Sequence, residues 1–332
     1  MPEVPLVLLV EDNDDEAELA RRALRRASSA HRLLRARDGV EALELARQVP
    51  DVVLLDLKLP RLDGKQVLRS LRGTKATRHV PVVVVSASGE AGDLSDCYSL
   101  SANSYVRKPV DLSVFTENLS LILYYWLALN IGPGVEAPDR RRHRQESGGV
   151  EAEQKAASRF APVRSLLGGA AHARALTCGE QGAVVILDRD DASRSETLDA
   201  ISTVSGMAPL VGAGSAAEAF RILSSAGLTR GHSPWAGPRL VLIDIDHHLD
   251  DGPPMMVRIR EQVDHRLPIV FFTRKDDPVF IEDCYSLTPN SVVRKPDSPS
   301  FADTVRLIGH YWLRLNETVP IGLRVSPALD PA

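Results

Sequence analysis

Asp56 ends a run of four apolar residues, Val52-Val-Leu-Leu55, and Pro60 and Gly64 follow before a helical pattern begins. So short an apolar run, closed by breakers, reads as a strand buried on both faces. A carboxylate at the carboxyl end of such a strand stands where open α/β sheets carry their chemistry. Glu11 and Asp12 close a similar run at residues 5–10, Ser86 closes the run at 80–85, and Lys108 follows a short strand pattern at 104–107. In one parallel sheet these residues converge on a single edge. Three clustered carboxylates repel one another and call for a cation. An all-oxygen site with few protein ligands suits Mg²⁺, which keeps several of its waters. With Lys108 as a fixed positive charge and Ser86 as a hydroxyl donor, Asp56 is equipped to attack a phosphoryl group. The cation and the ammonium would offset the charge building on the phosphoryl oxygens. The residues form no catalytic triad, and there is no phosphate-cradling glycine-rich loop.

The elements that must position these groups follow from periodicity. Strands are expected at 5–10, 33–37, 52–55, 80–85 and 104–107. Helices are expected at about 14–28, 39–48, 65–71, 90–100 and 111–130, the first capped by Asn13 or Asp14. Strand and helix alternate five times, which argues for a parallel sheet with helices on both faces. Residues 132–181 differ in kind, rich in Gly, Ala, Arg and Glu, and read as a flexible linker. Its run Arg140-Arg-Arg-His-Arg144 reads as a solvated patch rather than a nucleic-acid contact.

The pattern then returns. Cys97-Tyr-Ser-Leu-Ser-Ala-Asn-Ser104 reappears as Cys284-Tyr-Ser-Leu-Thr-Pro-Asn-Ser291, Val106-Arg-Lys-Pro109 as Val293-Arg-Lys-Pro296, and Tyr125-Trp-Leu-Ala-Leu-Asn130 as Tyr311-Trp-Leu-Arg-Leu-Asn316. The division is therefore a first domain at 1–131, the linker, a second domain at 182–317 and a tail at 318–332. At 332 residues, 44% hydrophobic and 25% charged, the chain suits two globular domains. A net charge of -4 gives no general drive toward nucleic acid or an anionic membrane. The first apolar run is too short for a signal or a membrane span, and no later segment is long enough either. Cys97, Cys178 and Cys284 are too few and scattered for a disulfide framework or a zinc site, so a reducing cytoplasm is expected.

Glu11-Asp12, Asp56, Ser86 and Lys108-Pro109, in this order and spacing, resemble the receiver domain of bacterial two-component response regulators. The resemblance covers residues 5–130 and again 183–316. Around Asn103-Ser-Tyr-Val-Arg-Lys-Pro109 and Tyr125-Trp-Leu-Ala-Leu-Asn130 it is similar to the stand-alone receivers that partner phytochrome-type histidine kinases. It implies two flavodoxin-like, doubly wound five-stranded sheets of order 2-1-3-4-5. It also implies that Asp56 accepts a phosphoryl group from a kinase phosphohistidine. Asp12 would ligate Mg²⁺ directly, Glu11 largely through water, and Lys58 through its backbone carbonyl. Ser86 would swing to the phosphoryl oxygen, and Tyr105 would be the switch aromatic that packs inward as Ser86 moves. The output face would be the fourth helix, fifth strand and fifth helix, biased by the added phosphoryl charge.

The second copy departs from this pattern. Its equivalents are Asp188, Asp244, Thr273 and Lys295, but Arg189 stands in the place of Asp12 and Val292 in that of Tyr105. Arg189 is expected to pair with Asp244 or Asp188 and take the cation's place, leaving a degenerate receiver. Asp244-Ile-Asp-His-His248 invites a phosphatase or metal reading, but adjacent loop histidines diverge and rarely share an ion. Matched apolar stripes, Phe115/Leu119/Ile122/Trp126 and Phe301/Val305/Ile308/Trp312, suit packing as a pseudo-dimer within one chain or a homodimer between chains. No helix-turn-helix, cyclase or hydrolase segment is apparent, so the signal is expected to leave through contact with a protein target. The chain is read as a phosphoacceptor, not an enzyme. The alternatives are a constitutive pseudo-receiver adaptor and a Mg²⁺-dependent phosphatase with an aspartyl nucleophile.

Overall fold

The computed structural model describes residues 4–27, 31–132, 182–206, 208–228, 238–246, 252–296 and 300–318. The expected linker (but for Gly132), the basic run at 140–144, Cys178, the His247-His248 pair and the tail beyond 318 lie outside the described residues. In the first copy the elements run β1 (Leu6–Val10), α1 (Asp14–Ala27), β2 (Arg32–Ala36), α2 (Gly39–Leu45), β3 (Val52–Leu55), α3 (Gly64–Gly73), β4 (Val82–Ser86), α4 (Ala91–Ser99), β5 (Ser104–Arg107) and α5 (Leu112–Tyr124). The second copy follows with β6 (Ala183–Leu187), α6 (Asp191–Ser205), β7 (Leu210–Ala213), α7 (Ala216–Leu228), β8 (Pro238–Asp244), α8 (Gly252–Arg258), β9 (Ile269–Thr273), α9 (Pro278–Ser286), β10 (Ser291–Arg294) and α10 (Phe301–Gly309).

Each sheet has five parallel strands, in the orders β2-β1-β3-β4-β5 and β7-β6-β8-β9-β10. Strands β1, β3 and β4 are buried along their whole length, as their unbroken apolar runs require. Alternate residues serve opposite faces. Val7 and Leu9 join α1 and α5 on one side, while Leu8 and Val10 join α2, α3 and α4 on the other. Helix starts are fixed by short acceptors. Asn13 Oδ1 accepts from the amides of Asp15 and Glu16, and Asp63 forms a capping box with Gln66.

The two copies share a core. One cluster of buried apolar side chains runs from β1 and β3 through α1 and α5 into α6, α10 and the second sheet. Its centre is aromatic. Helices α5 and α10 each end in a π turn, Tyr125–Leu129 and His310–Leu315, which carries the Tyr-Trp pair of the repeat. Tyr125 and Tyr311 stack at 4.2 Å between centroids, and Trp126 and Trp312 meet edge to face at 6.4 Å.

A polar network with pseudo-two-fold symmetry runs through this apolar centre. Trp126 Nε1 donates to Tyr311 Oη, Tyr311 donates to Ser104 Oγ, and Ser104 donates to Asn316 Oδ1, at 2.7, 2.8 and 2.7 Å. The mirrored chain runs Trp312 to Tyr125 to Ser291 to Asn130, at 2.7, 3.0 and 2.7 Å. Asn103 and Asn290 exchange bonds, each Nδ2 donating to the other's carbonyl at 2.9 and 3.0 Å. Burial pushes the Tyr125 and Tyr311 phenols above their usual range, so they serve as neutral donors. A buried network with its donors and acceptors paired specifies one docking geometry, which an apolar surface alone does not.

One expectation needs correcting. The stretch Leu112–Leu129 is long and apolar enough by length and composition to cross a membrane. In the structure its apolar side is taken up by α1 and the aromatic centre, with Phe115, Leu119, Ile122, Leu123, Tyr125 and Trp126 all buried. Its hydropathy is that of a helix gripped by two domains.

Candidate functional site

Register brings the first-copy residues together. Val10 pairs with Leu55 across β1 and β3, so the residues that follow each strand, Glu11-Asp12 and Asp56, leave the sheet side by side. Ser86 pairs with Arg107 at the end of β4 and β5, and the Lys108 amide donates to the Ser86 carbonyl at 2.8 Å. Arg35, on β2, braces the acidic loop. Its Nε and Nη2 donate to the carbonyls of Glu11 and Asp12 at 3.0 Å each.

Lys108 Nζ lies 2.5 Å from Asp56 Oδ2, 2.7 Å from Glu11 Oε2 and 2.6 Å from Glu16 Oε2. Burial works against its charge, but Asp56 and Glu11 overcome that and raise the ammonium's pKa. Burial raises the Glu11 carboxyl above the usual range despite Lys108 beside it. Carboxylate oxygens of Glu11, Asp12 and Asp56 lie within 4.8 Å of one another. Asp12 is exposed, and Asp56 Oδ1 receives one long bond, 3.2 Å from the Lys58 amide. Hard carboxylate donors, one of them open to water, fit a small divalent cation that keeps part of its hydration.

Gly64 allows β3 and α3 to meet closely behind the acid. A Cβ there would lie 2.3 Å from the Asp56 carbonyl oxygen and 2.7 Å from Leu57 Cα. Gly64→Ala is expected to cost about 1–3 kcal/mol through this overpacking. A lowered urea midpoint would show it. Gly92→Ala is the control, since a Cβ there meets nothing within 4 Å.

Behind Asp56, Ser86 is fully buried and its Oγ accepts from the Ser88 amide at 3.3 Å. Tyr105 is 2% exposed, and its hydroxyl donates to the Ser88 carbonyl at 3.0 Å. Burial pushes the Tyr105 phenol up to about 12. Ser88 Oγ donates to Asp93, which also holds Lys65 at 2.7 Å. The sequence led us to expect Tyr105 to turn inward only as Ser86 moves, yet it is inward here. Its backbone is tied by the second copy: its amide donates to Asn316 Oδ1 at 3.2 Å and its carbonyl accepts from the Glu317 amide at 2.8 Å.

The family model for the response regulator receiver domain matches residues 7–120. The chain is 38% identical over 136 residues to the probable methanogenesis regulatory protein FilR2 of Methanothrix harundinacea (strain 6Ac), an alignment covering 39% of this chain and 88% of that protein. The chain belongs to the response regulator receiver family. It is also 34% identical over 118 residues to the polar-differentiation response regulator DivK of Brucella ovis, covering 35% of this chain and 94% of the relative. Among solved structures, the phosphorylated cyanobacterial phytochrome response regulator RcpA matches at 34% identity over 38% of this chain and 96% of its own, with a TM-score of 0.37.

The second receiver keeps the lysine and seals it. Lys295 Nζ lies 3.0 Å from Asp188 Oδ2 and 2.5 Å from Asp244 Oδ2, and the three side chains are 1%, 4% and 2% exposed. The other Asp188 and Asp244 oxygens accept from the amides of Asp190 and Asp246 at 2.9 and 3.0 Å. Thr273 donates to Asp246. Arg189 was expected to pair with Asp244 or Asp188 in the cation's place; in the structure Lys295 bridges both carboxylates, and Arg189 is exposed. Val292, the counterpart of Tyr105, is fully buried. Among the described residues, Glu11, Asp12 and Asp56 are the group of acids placed to hold a metal.

Three participants escaped the sequence reading: Glu16, Arg35 and Ser88. A comparison of the copies points to the first, since Ser193 stands where Glu16 does and bonds Asp188 instead of the lysine.

Proposed function

We propose that the first receiver accepts a phosphoryl group on Asp56 from a histidine kinase, of phytochrome type by the segments quoted above, and signals through contact with a protein. The observation that carries this reading is the meeting of Asp56, Glu11, Asp12 and Lys108 at the carboxyl edge of the sheet. Glu11, Asp12 and Asp56, with the Lys58 carbonyl, would hold Mg²⁺, which when bound supplies positive charge for the phosphoryl oxygens. One Asp56 oxygen bonds to phosphorus as the donor's P–N bond breaks. The imidazole leaves with the electron pair of that bond and takes a proton from solvent. Lys108 turns to a phosphoryl oxygen, and Ser86 donates its hydroxyl to another. Asp56 is a stoichiometric acceptor in this scheme, so the chain is a signalling protein and not a turnover enzyme. A cytoplasmic setting goes with such a kinase substrate.

In this reading the second receiver is a fixed partner. Its internally satisfied ion pair supports a structural role for that half, since each carboxylate already has its partners. Incubation of the chain with acetyl phosphate and Mg²⁺, followed by intact mass and peptide mapping, is expected to place one acid-labile adduct on Asp56 and none on Asp244. Asp56→Asn should abolish it. An unmodified Asp56, or an adduct that survives Asp56→Asn, would sink the reading. Sustained release of phosphate over many turnovers would favour a phosphatase instead.

A further inference from the structure

We infer that Glu16 is a positioning residue of this site: it holds the Lys108 ammonium in the resting state and adds charge that draws the cation in. This inference rests on the function proposed above. Glu16 Oε2 is as close to Lys108 as the two strand-end acids, 2.6 Å against 2.5 and 2.7 Å. It differs from them in placement. It lies on the first turn of α1, and its side chain is 30% exposed where those of Glu11 and Asp56 are 6% and 11%. Glu16 is thus the acid that water can re-solvate when Lys108 leaves it.

The second receiver supplies an internal contrast. Ser193 replaces Glu16 there, its hydroxyl donates to Asp188 at 2.6 Å, and Lys295 retains two carboxylates in a closed site. Where Glu16 is present the lysine has a third carboxylate facing partly into water; where it is absent the lysine is sealed.

The charge of Glu16 acts in opposite directions on two steps. A fourth carboxylate beside Glu11, Asp12 and Asp56 strengthens the attraction for a divalent cation. The same charge opposes an incoming anionic phosphoryl group and retains the lysine that must meet it. During transfer an Asp56 oxygen bonds to phosphorus, the bond from phosphorus to the donor breaks with its electron pair staying on the leaving group, and Lys108 exchanges Glu16 for a phosphoryl oxygen.

The test compares the full wild-type chain with Glu16→Gln and Glu16→Asp. Mg²⁺ binding is measured by calorimetry without any donor. The rate of Asp56 adduct formation is measured with acetyl phosphate at saturating Mg²⁺, and thermal midpoints are recorded alongside. Glu16→Gln is expected to weaken Mg²⁺ binding about three- to tenfold, the size of one partly screened charge nearby. It should speed adduct formation at saturation by a factor of about two to five, from the same electrostatic source. Glu16→Asp, which keeps the charge, should fall between. Unchanged binding and rate, or a loss of both with a lowered midpoint, would overturn the inference. A wild-type chain that binds Mg²⁺ and forms no adduct would overturn the proposed function, while the calorimetry would still decide whether Glu16 draws the cation.

Discussion

Trp312→Ala is expected to destabilise the whole chain by about 3–5 kcal/mol, the cost of emptying a large aromatic site in a core that cannot collapse around it. Trp312 is fully buried and belongs to the cluster shared by both receivers. It packs on Tyr125, Trp126 and Tyr311, so its removal leaves a void at the centre of the contact and not at its rim. The loss has a polar part as well. The indole N–H donates to Tyr125 Oη at 2.7 Å, at the head of the chain that ends on Asn130. Trp312→Phe keeps most of the ring and loses that donor, so it should cost less. Urea unfolding followed by circular dichroism measures both. Small-angle scattering should show the alanine variant expanding before either receiver loses its helices, since the void lies between them. A loss under about 1 kcal/mol would mean that the receivers do not depend on this aromatic centre.

Lys295→Met should be nearly as damaging, for a different reason. It strands two carboxylates, Asp188 and Asp244, whose side chains are 4% and 2% exposed. Removing one member of a buried charge group costs about 3–5 kcal/mol, because the two carboxylates left behind lose their counter-ion and repel one another away from water. Lys108→Met should cost clearly less in stability, since the exposed Asp12 and half-open Glu16 give its site access to water and to added cations. It should nevertheless abolish adduct formation on Asp56. On the proposed reading, the same residue type at equivalent positions would serve chemistry in one copy and folding in the other. Equal losses for the two variants in urea unfolding would contradict that division.

Much of this arrangement was legible in the sequence because its signals are local. Continuous apolar runs gave the central strands, and polar residues at their ends named Glu11, Asp12, Asp56, Ser86 and Lys108. The matched apolar stripes Phe115/Leu119/Ile122/Trp126 and Phe301/Val305/Ile308/Trp312 pointed to a paired face. What escaped depends on side-chain direction across long separations. Glu16 looks like an ordinary acid in the first turn of a helix, favourable to the helix dipole, and its partner is 92 residues away. Arg35 reads as an edge-strand cation until its guanidinium is seen to grip the β1–α1 loop. Arg189 shows the limit in the opposite sense: its position matches Asp12, but position alone does not fix where a long, flexible side chain turns. The membrane-length hydropathy of Leu112–Leu129, which escaped the sequence reading, reflects burial on two sides by protein.

The reciprocal contact has a consequence for stoichiometry. Two separate chains joined through such a surface would part on dilution. Here both halves lie in one polypeptide, so each sees the other at an effective concentration of the order of millimolar however few molecules are present. Pairing becomes first order, and the dose of signal should scale with the number of chains and not with its square. The helix and strand that would dock a second copy are already occupied from within, with Asn316 on β5 of the first receiver and Asn130 on β10 of the second. On the proposed function, a downstream protein would therefore read some other surface of the first receiver, or read the pair as one object.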